Sequence, residues 1–187
     1  YCAIITPFKN GALDEASFKN MIKWHKKNGT KGIIPCGTTG ESPTLSHEEH
    51  KLVVELAVEY SNNEIKVIAG TGSNSTEEAV SLTKHAEKAG ADGALLVTPY
   101  YNKPTQEGLY QHYKAINDNT SLPIIIYNIP SRCVIDMSVD TMAKLFELKN
   151  ITGVKDATGD LNRLDQTIKK LGPEFIQLTG EDGLAFE

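Results

Sequence analysis

Cysteine is scarce in this chain of 187 residues: Cys2, Cys36 and Cys133 are odd in number and far apart. The set has neither the density of a disulfide scaffold nor the spacing of a zinc site, and reduced thiols in a cytoplasm fit it best. No run of about eighteen apolar residues occurs and no charged-then-apolar leader opens the sequence, so neither a membrane span nor an export signal is expected. A clustered basic face is also missing. Lys26-Lys27 and Lys169-Lys170 read as solvated helix ends, and a net charge of -5 with a pI near 5.6 counts against nucleic acid as a partner. With 40% hydrophobic and 23% charged residues, the chain has the composition of an ordinary globular domain rather than a disordered one.

What is present is an alternation. Strand-like runs fall near residues 2 to 6, 32 to 36, 65 to 69, 93 to 98, 123 to 127, 151 to 155 and 175 to 179. Helical stretches lie between them: Asp14 to Lys27, one opened by the Ser46/Glu49 capping box, one from Ser75-Thr76 to before Gly90, Thr105 to Asn117, Ser138 to Leu148 and Asn162 to Leu171. Strands alternating with helices at a period of about thirty residues predict βα units around a parallel sheet. A doubly wound sheet and a (β/α)8 barrel both satisfy the pattern. Thr39, Tyr101, Tyr127, Lys155 and Gly180, each following a different strand, favour the barrel with one central site. Such barrels typically need about 250 residues. The expectation is therefore one catalytic domain over residues 1–187, cut at both ends and lacking its eighth strand, with Leu184-Ala185-Phe186-Glu187 opening an apolar helix.

Two apolar runs end in chemistry. Ile151-Thr152-Gly153-Val154 leads into Lys155, and Ile124-Ile125-Ile126 leads into Tyr127, so a parallel sheet would gather both side chains at its carboxyl end. A partly buried lysine loses protons more readily and can attack a carbonyl to form a Schiff base, with tyrosine as its acid/base partner. An ion pair with Asp156, or a snorkelling surface lysine, satisfies the same residues. The turn Gly37-Thr38-Thr39-Gly40-Glu41 offers backbone donors to a carboxylate or phosphate, although glycine and threonine are also ordinary turn residues.

Two further patterns point elsewhere and are rejected. Gly70-Thr71-Gly72-Ser73-Asn74-Ser75 imitates a dinucleotide fingerprint but lacks the third glycine. His47 and His50 lie one helical turn apart without a third ligand at metal spacing, so no metal is expected.

Taken in order, Gly37-Thr38-Thr39-Gly40-Glu41, Thr98-Pro99-Tyr100-Tyr101-Asn102, Tyr127-Asn128-Ile129-Pro130-Ser131-Arg132 and Val154-Lys155-Asp156-Ala157-Thr158-Gly159 resemble the dihydrodipicolinate synthase (4-hydroxy-tetrahydrodipicolinate synthase) family of lysine-dependent class I aldolases. The resemblance implies a (β/α)8 barrel followed by a small helical domain, in a homotetramer built as a dimer of dimers. It implies condensation of pyruvate with aspartate semialdehyde through a covalent imine on Lys155, with no other cofactor. Tyr127, Thr39 and Tyr101 would relay protons, Tyr101 entering from a neighbouring subunit. The N-H groups of Thr38 and Thr39 would hold the pyruvate carboxylate, Arg132 that of the semialdehyde, and the Gly180 carbonyl would line the site. L-lysine would be an allosteric effector held by Ser42, His47, His50, Asn74, Glu78 and Tyr100. Departures are small: Asp156 where glutamate is frequent, Cys133 where threonine is frequent, and Pro43 after the first loop. The nearest alternatives are N-acetylneuraminate lyase or a 2-keto-3-deoxy sugar acid aldolase of the same superfamily, and an inactive barrel fragment.

Overall fold

A computed structural model describes residues 1–184 of the chain. The strands are β1 (Cys2–Ala3), β2 (Phe8–Lys9), β3 (Ala12–Leu13), β4 (Gly32–Ile34), β5 (Lys66–Gly70), β6 (Gly93–Val97), β7 (Ile124–Asn128), β8 (Ile151–Asp156) and β9 (Ile176–Thr179). The helices are α1 (Glu15–Lys27), α2 (His47–Ser61), α3 (Thr76–Ala89), α4 (Gln106–Asn117), α5 (Pro130–Cys133), α6 (Val139–Phe146) and α7 (Leu161–Leu171). All seven anticipated parallel strands form, in the order β1-β4-β5-β6-β7-β8-β9. Residues divide into two compact units, Tyr1–Thr71 with Leu82–Leu95, and Gly72–Ser81 with Leu96 onward.

In the first unit β1 pairs with β4, β4 with β5 and β5 with β6, all parallel. Helix α1 starts where the Asp14 carboxylate accepts the Ser17 N-H at 3.0 Å, which satisfies one of the donors every helix leaves open. Phe18, Ile22 and His25 recur at helical spacing, and that face is buried. Helix α2 begins with the anticipated capping box, Ser46 and Glu49 each binding the other's backbone N-H. One element was not legible as a strand pair. The hairpin β2–β3 turns at Asn10-Gly11, both at positive φ, so the first parallel strand is only Cys2–Ala3 rather than residues 2 to 6. Asn-Gly is the residue pair that such tight turns favour.

In the second unit the strands β7, β8 and β9 are parallel neighbours. Ile124 and Ile126 of β7 and Val154 of β8 pack with Leu109, Tyr113 and Ile116 of α4 and with Met142 and Leu145 of α6, every one almost wholly shielded from water. The Tyr113 hydroxyl donates to the Leu96 carbonyl at 2.6 Å, which removes the cost of burying it. The β7–β8 ladder contains a one-residue slip: Ile124 pairs with Ile151, and Ile125 with Gly153. Thr152 is the extra residue, its hydroxyl donating to the Ile124 carbonyl at 3.1 Å. Beyond the slip, Tyr127 stands opposite Lys155 and Asn128 opposite Asp156. At the end of the described residues Asp182–Leu184 forms a single 3-10 turn, and the rest of the apolar helix expected there lies outside them.

Candidate active site

Each strand end presents a different kind of group. On β7 and β8, alternation sends Tyr127 and Lys155 to one face of the sheet and Asn128 and Asp156 to the other. The Lys155 Nζ lies 4.3 Å from the centroid of the Tyr127 ring, over its face. Burial lowers the lysine pKa below its ordinary value, and the Asp182 carboxylate opposes that shift. No ion pair or hydrogen bond engages the amine among the described residues.

The Asp156 carboxylate is committed elsewhere. It forms an ion pair with Arg163, whose Nε lies 2.9 Å away, and accepts hydrogen bonds from the Asn128 amide at 3.3 Å, the Thr158 N-H at 2.9 Å and the Thr158 hydroxyl. The competing reading of Lys155 as the partner of Asp156 therefore fails: adjacent residues of a strand face opposite ways, and the acid already has a cation. Tyr127 is buried, and its hydroxyl has no partner among the described residues, unlike that of Tyr113.

Gly180 follows β9, and its N-H donates to the Asp156 carbonyl at 2.6 Å. A Cβ there would stand 2.6 Å from the Ala157 Cβ, so only glycine allows the approach. Arg132 lies exposed in α5, without an ion pair among the described residues. Tyr101 is not brought to Lys155 or Tyr127 within the chain; it is 89% exposed and held at φ 71°, an uncommon conformation for a residue with a side chain.

In the first unit the loop after β4 is built from backbone. Cys36 and Glu41 adopt positive φ, the Gly40 N-H donates to the Gly37 carbonyl at 3.1 Å, and the Glu41 N-H to the Thr38 carbonyl at 3.1 Å. The N-H groups of Thr38 and Thr39 make no hydrogen bond among the described residues, and both residues are exposed. Two adjacent open donors are what an anion cradle requires. The loop is pressed against β5: a Cβ on Gly70 would lie 2.2 Å from the Cys36 carbonyl oxygen.

The residues anticipated for an effector fall into two sets. Asn74, Glu78 and Tyr100 share the second unit and gather about Ser73, whose hydroxyl donates to the Glu78 carboxylate. Burial first, and the Glu78 charge second, push the Tyr100 phenol up, while hydrogen bonds with Ser73 and Asn74 oppose them. Ser42 opens a short 3-10 turn in the first unit, His47 is exposed at the start of α2, and His50 is buried with Nε2 at 2.8 Å from the Gly70 carbonyl. No group of three or more metal-ligating side chains converges among the described residues. No described helix is long and apolar enough to cross a membrane.

Ser73, Asp182, Asp136 and Arg163 are neighbours of these groups that sequence reading missed. Nothing in a lone serine or arginine marks it as a site residue; only the contacts do.

The model of the Dihydrodipicolinate synthetase family matches residues 1–187. The 4-hydroxy-tetrahydrodipicolinate synthase of Pelagibacter ubique is 69% identical over 185 residues, covering 99% of this chain and 63% of its own length. The chloride-inhibited dihydrodipicolinate synthase of Acinetobacter baumannii, solved with pyruvate, superimposes with a TM-score of 0.96 at 51% identity, over 99% of this chain and 64% of that one. The lysine-bound DHDPS of Cyanidioschyzon merolae gives 0.94 at 39% identity, over 98% and 63%. The chain thus spans less than two thirds of the length of these relatives, and its seven parallel strands are those of a (β/α)8 barrel, incomplete by comparison with them.

Proposed function

Because the chain belongs to the dihydrodipicolinate synthetase family, we propose that it carries the chemistry of a 4-hydroxy-tetrahydrodipicolinate synthase, condensing pyruvate with aspartate semialdehyde. The observation that carries the reading is the Lys155 amine, desolvated, in no ion pair or hydrogen bond among the described residues, and 4.3 Å from the ring of Tyr127. An amine so placed spends more of its time unprotonated at neutral pH and attacks the pyruvate ketone; loss of water leaves a protonated imine. That imine is an electron sink, so a methyl proton departs and the resulting enamine forms a carbon–carbon bond to the semialdehyde's carbonyl carbon. The new alkoxide takes a proton. The semialdehyde's own amine then displaces Lys155 from the imine carbon and closes the ring.

Tyr127 moves protons at the imine and the alkoxide, with Thr39 and Tyr101 completing the relay. The open N-H groups of Thr38 and Thr39 suit the pyruvate carboxylate, and the unpaired Arg132 guanidinium suits that of the semialdehyde. The Gly180 carbonyl lines the site. No cofactor beyond the imine is required. Tyr101, standing out from its own chain, fits a role in the site of a second copy within a dimer of dimers. We place the enzyme in the cytoplasm, where its reduced thiols belong.

Asn74, Glu78 and Tyr100 offer a carboxylate, a phenol and an amide around Ser73, a set suited to the charged groups of free L-lysine. Ser42, His47 and His50, in the first unit, are proposed as effector contacts on the family likeness alone. His50, bound to the Gly70 carbonyl, acts there through the backbone it holds.

Borohydride reduction in the presence of pyruvate tests the catalytic reading. One pyruvate-derived adduct is expected on the peptide containing Lys155 and none in Lys155→Met; an adduct on another lysine, or on none, overturns it. For the effector, L-lysine should lower turnover of the parent enzyme but not of Glu78→Ala, and equal loss in both removes the site.

A further inference from the structure

The face of β7 and β8 opposite the Lys155–Tyr127 pair holds a cluster that the chemistry does not use. Arg163, from the first turns of α7, pairs through Nε with Asp156 at 2.9 Å and through Nη1 with Asp136 at 2.9 Å, while Nη2 binds the Met137 carbonyl. Asn128 donates to Asp136 at 2.7 Å and to Asp156 at 3.3 Å, and its carbonyl oxygen accepts the Met137 N-H at 3.1 Å. Asn128 is wholly buried. The backbone is tied in the same place: the Ala157 N-H donates to the Asn128 carbonyl at 2.9 Å.

We propose that Asn128, Asp136, Asp156 and Arg163 are positioning residues, a network that fixes the ends of β7 and β8 so that the Lys155 amine rests against Tyr127. The inference depends on the catalytic reading for its purpose and on the contacts above for its content. Each reacting residue is followed in sequence by a network residue, Tyr127 by Asn128 and Lys155 by Asp156, and the two pairs are in register. Whatever holds one face therefore holds the other. Two carboxylates around one half-buried guanidinium are a poor choice for stability, since an apolar cluster of the same size serves as well or better. What such a network provides is direction, because its hydrogen bonds permit one arrangement of four segments.

Placement is also where small errors cost most: a shift of about 1 Å at a reacting group is worth about a hundredfold in rate. Lys155 reaches its place on a flexible four-carbon stem, so the strand end that carries it sets where the amine can go.

Competitive acetylation of Lys155 across pH, read by mass spectrometry without substrate, tests the network directly. The groups facing the amine are Tyr127 from β7 and Asp182 from the turn after β9. Arg163→Lys keeps the charge but cannot fork between two acids. It is expected to move the labelling midpoint of Lys155 upward, toward the value of a hydrated lysine, and to slow imine formation with pyruvate tenfold or more. Asp136→Asn, at a more exposed acid, should move both in the same direction by about threefold in rate and remain folded. An unmoved midpoint in folded Arg163→Lys overturns the proposal, even if its imine forms more slowly through partial unfolding. Should that variant fail to fold, an unmoved midpoint in Asp136→Asn overturns it. Absence of any pyruvate adduct in the parent protein strikes the catalytic reading instead and leaves the labelling result to judge the network.

Discussion

The loop after β4 and the paired ends of β7 and β8 present polar groups by opposite means. The loop presents backbone. Its open N-H groups at Thr38 and Thr39 exist because Cys36 and Glu41 accept left-handed conformations and because Gly70 lets the chain pass within contact of Cys36. The strand ends present side chains, whose direction follows from register and behind which lies the polar network of Asn128, Asp136, Asp156 and Arg163. A site made of backbone is thus sensitive to shape and indifferent to most side chains, whereas one made of side chains is sensitive to identity.

That contrast can be broken in three places. The largest effect is expected at the strand ends: Tyr127→Phe keeps the ring that touches the Lys155 amine but removes the hydroxyl, so turnover should fall about 10²- to 10⁴-fold while the pyruvate adduct on Lys155 still forms. Steady-state rates beside borohydride trapping check this, and turnover near that of the parent removes Tyr127 from proton transfer. Next comes Gly70→Ala, whose new carbon would meet the Cys36 carbonyl oxygen at 2.2 Å. A stability loss of roughly 1–3 kcal/mol is expected. Gly37→Ala, whose carbon would meet nothing nearer than 3.7 Å, should stay within about 0.5 kcal/mol of the parent. Thermal melts of the two variants that matched would mean that the approach of Gly70 to the loop is not what shapes it. The smallest effect is expected at Arg132→Ala: its exposed guanidinium has no ion pair to abandon among the described residues, so stability should hold while the KM for the aldehyde rises about tenfold and that for pyruvate little. An equal rise in both would assign Arg132 to the scaffold.

The βα alternation was legible because each strand is an apolar, β-branched run and each helix carries a cap or an apolar stripe. Lys155 and Tyr127 were legible for the same reason, since each ends such a run. What escaped were features that depend on contacts distant in sequence. Arg163 looks like any residue of a solvated helix until Asp136 and Asp156 close around it. Ser73 sat inside a glycine-rich turn read only as a false dinucleotide fingerprint. Adjacency in sequence suggests Asp156 as a partner for Lys155, yet in a strand adjacency is the surest sign that two side chains point apart.

The extra residue at Thr152 has a consequence for how this sequence can change by insertion and deletion. Were the ladder continued from Ile124 and Ile151 without the slip, Tyr127 would stand opposite Val154, and Lys155 would fall level with Asn128. Every chemical group would still be present in the gene and none of them in phase. The slip at Thr152 thus sets the phase of β8 as a reading frame sets that of a gene: deleting Thr152 would let an unbroken ladder keep Tyr127 opposite Lys155, whereas one more residue inserted between Ile151 and Lys155 would carry Lys155 a step beyond Tyr127.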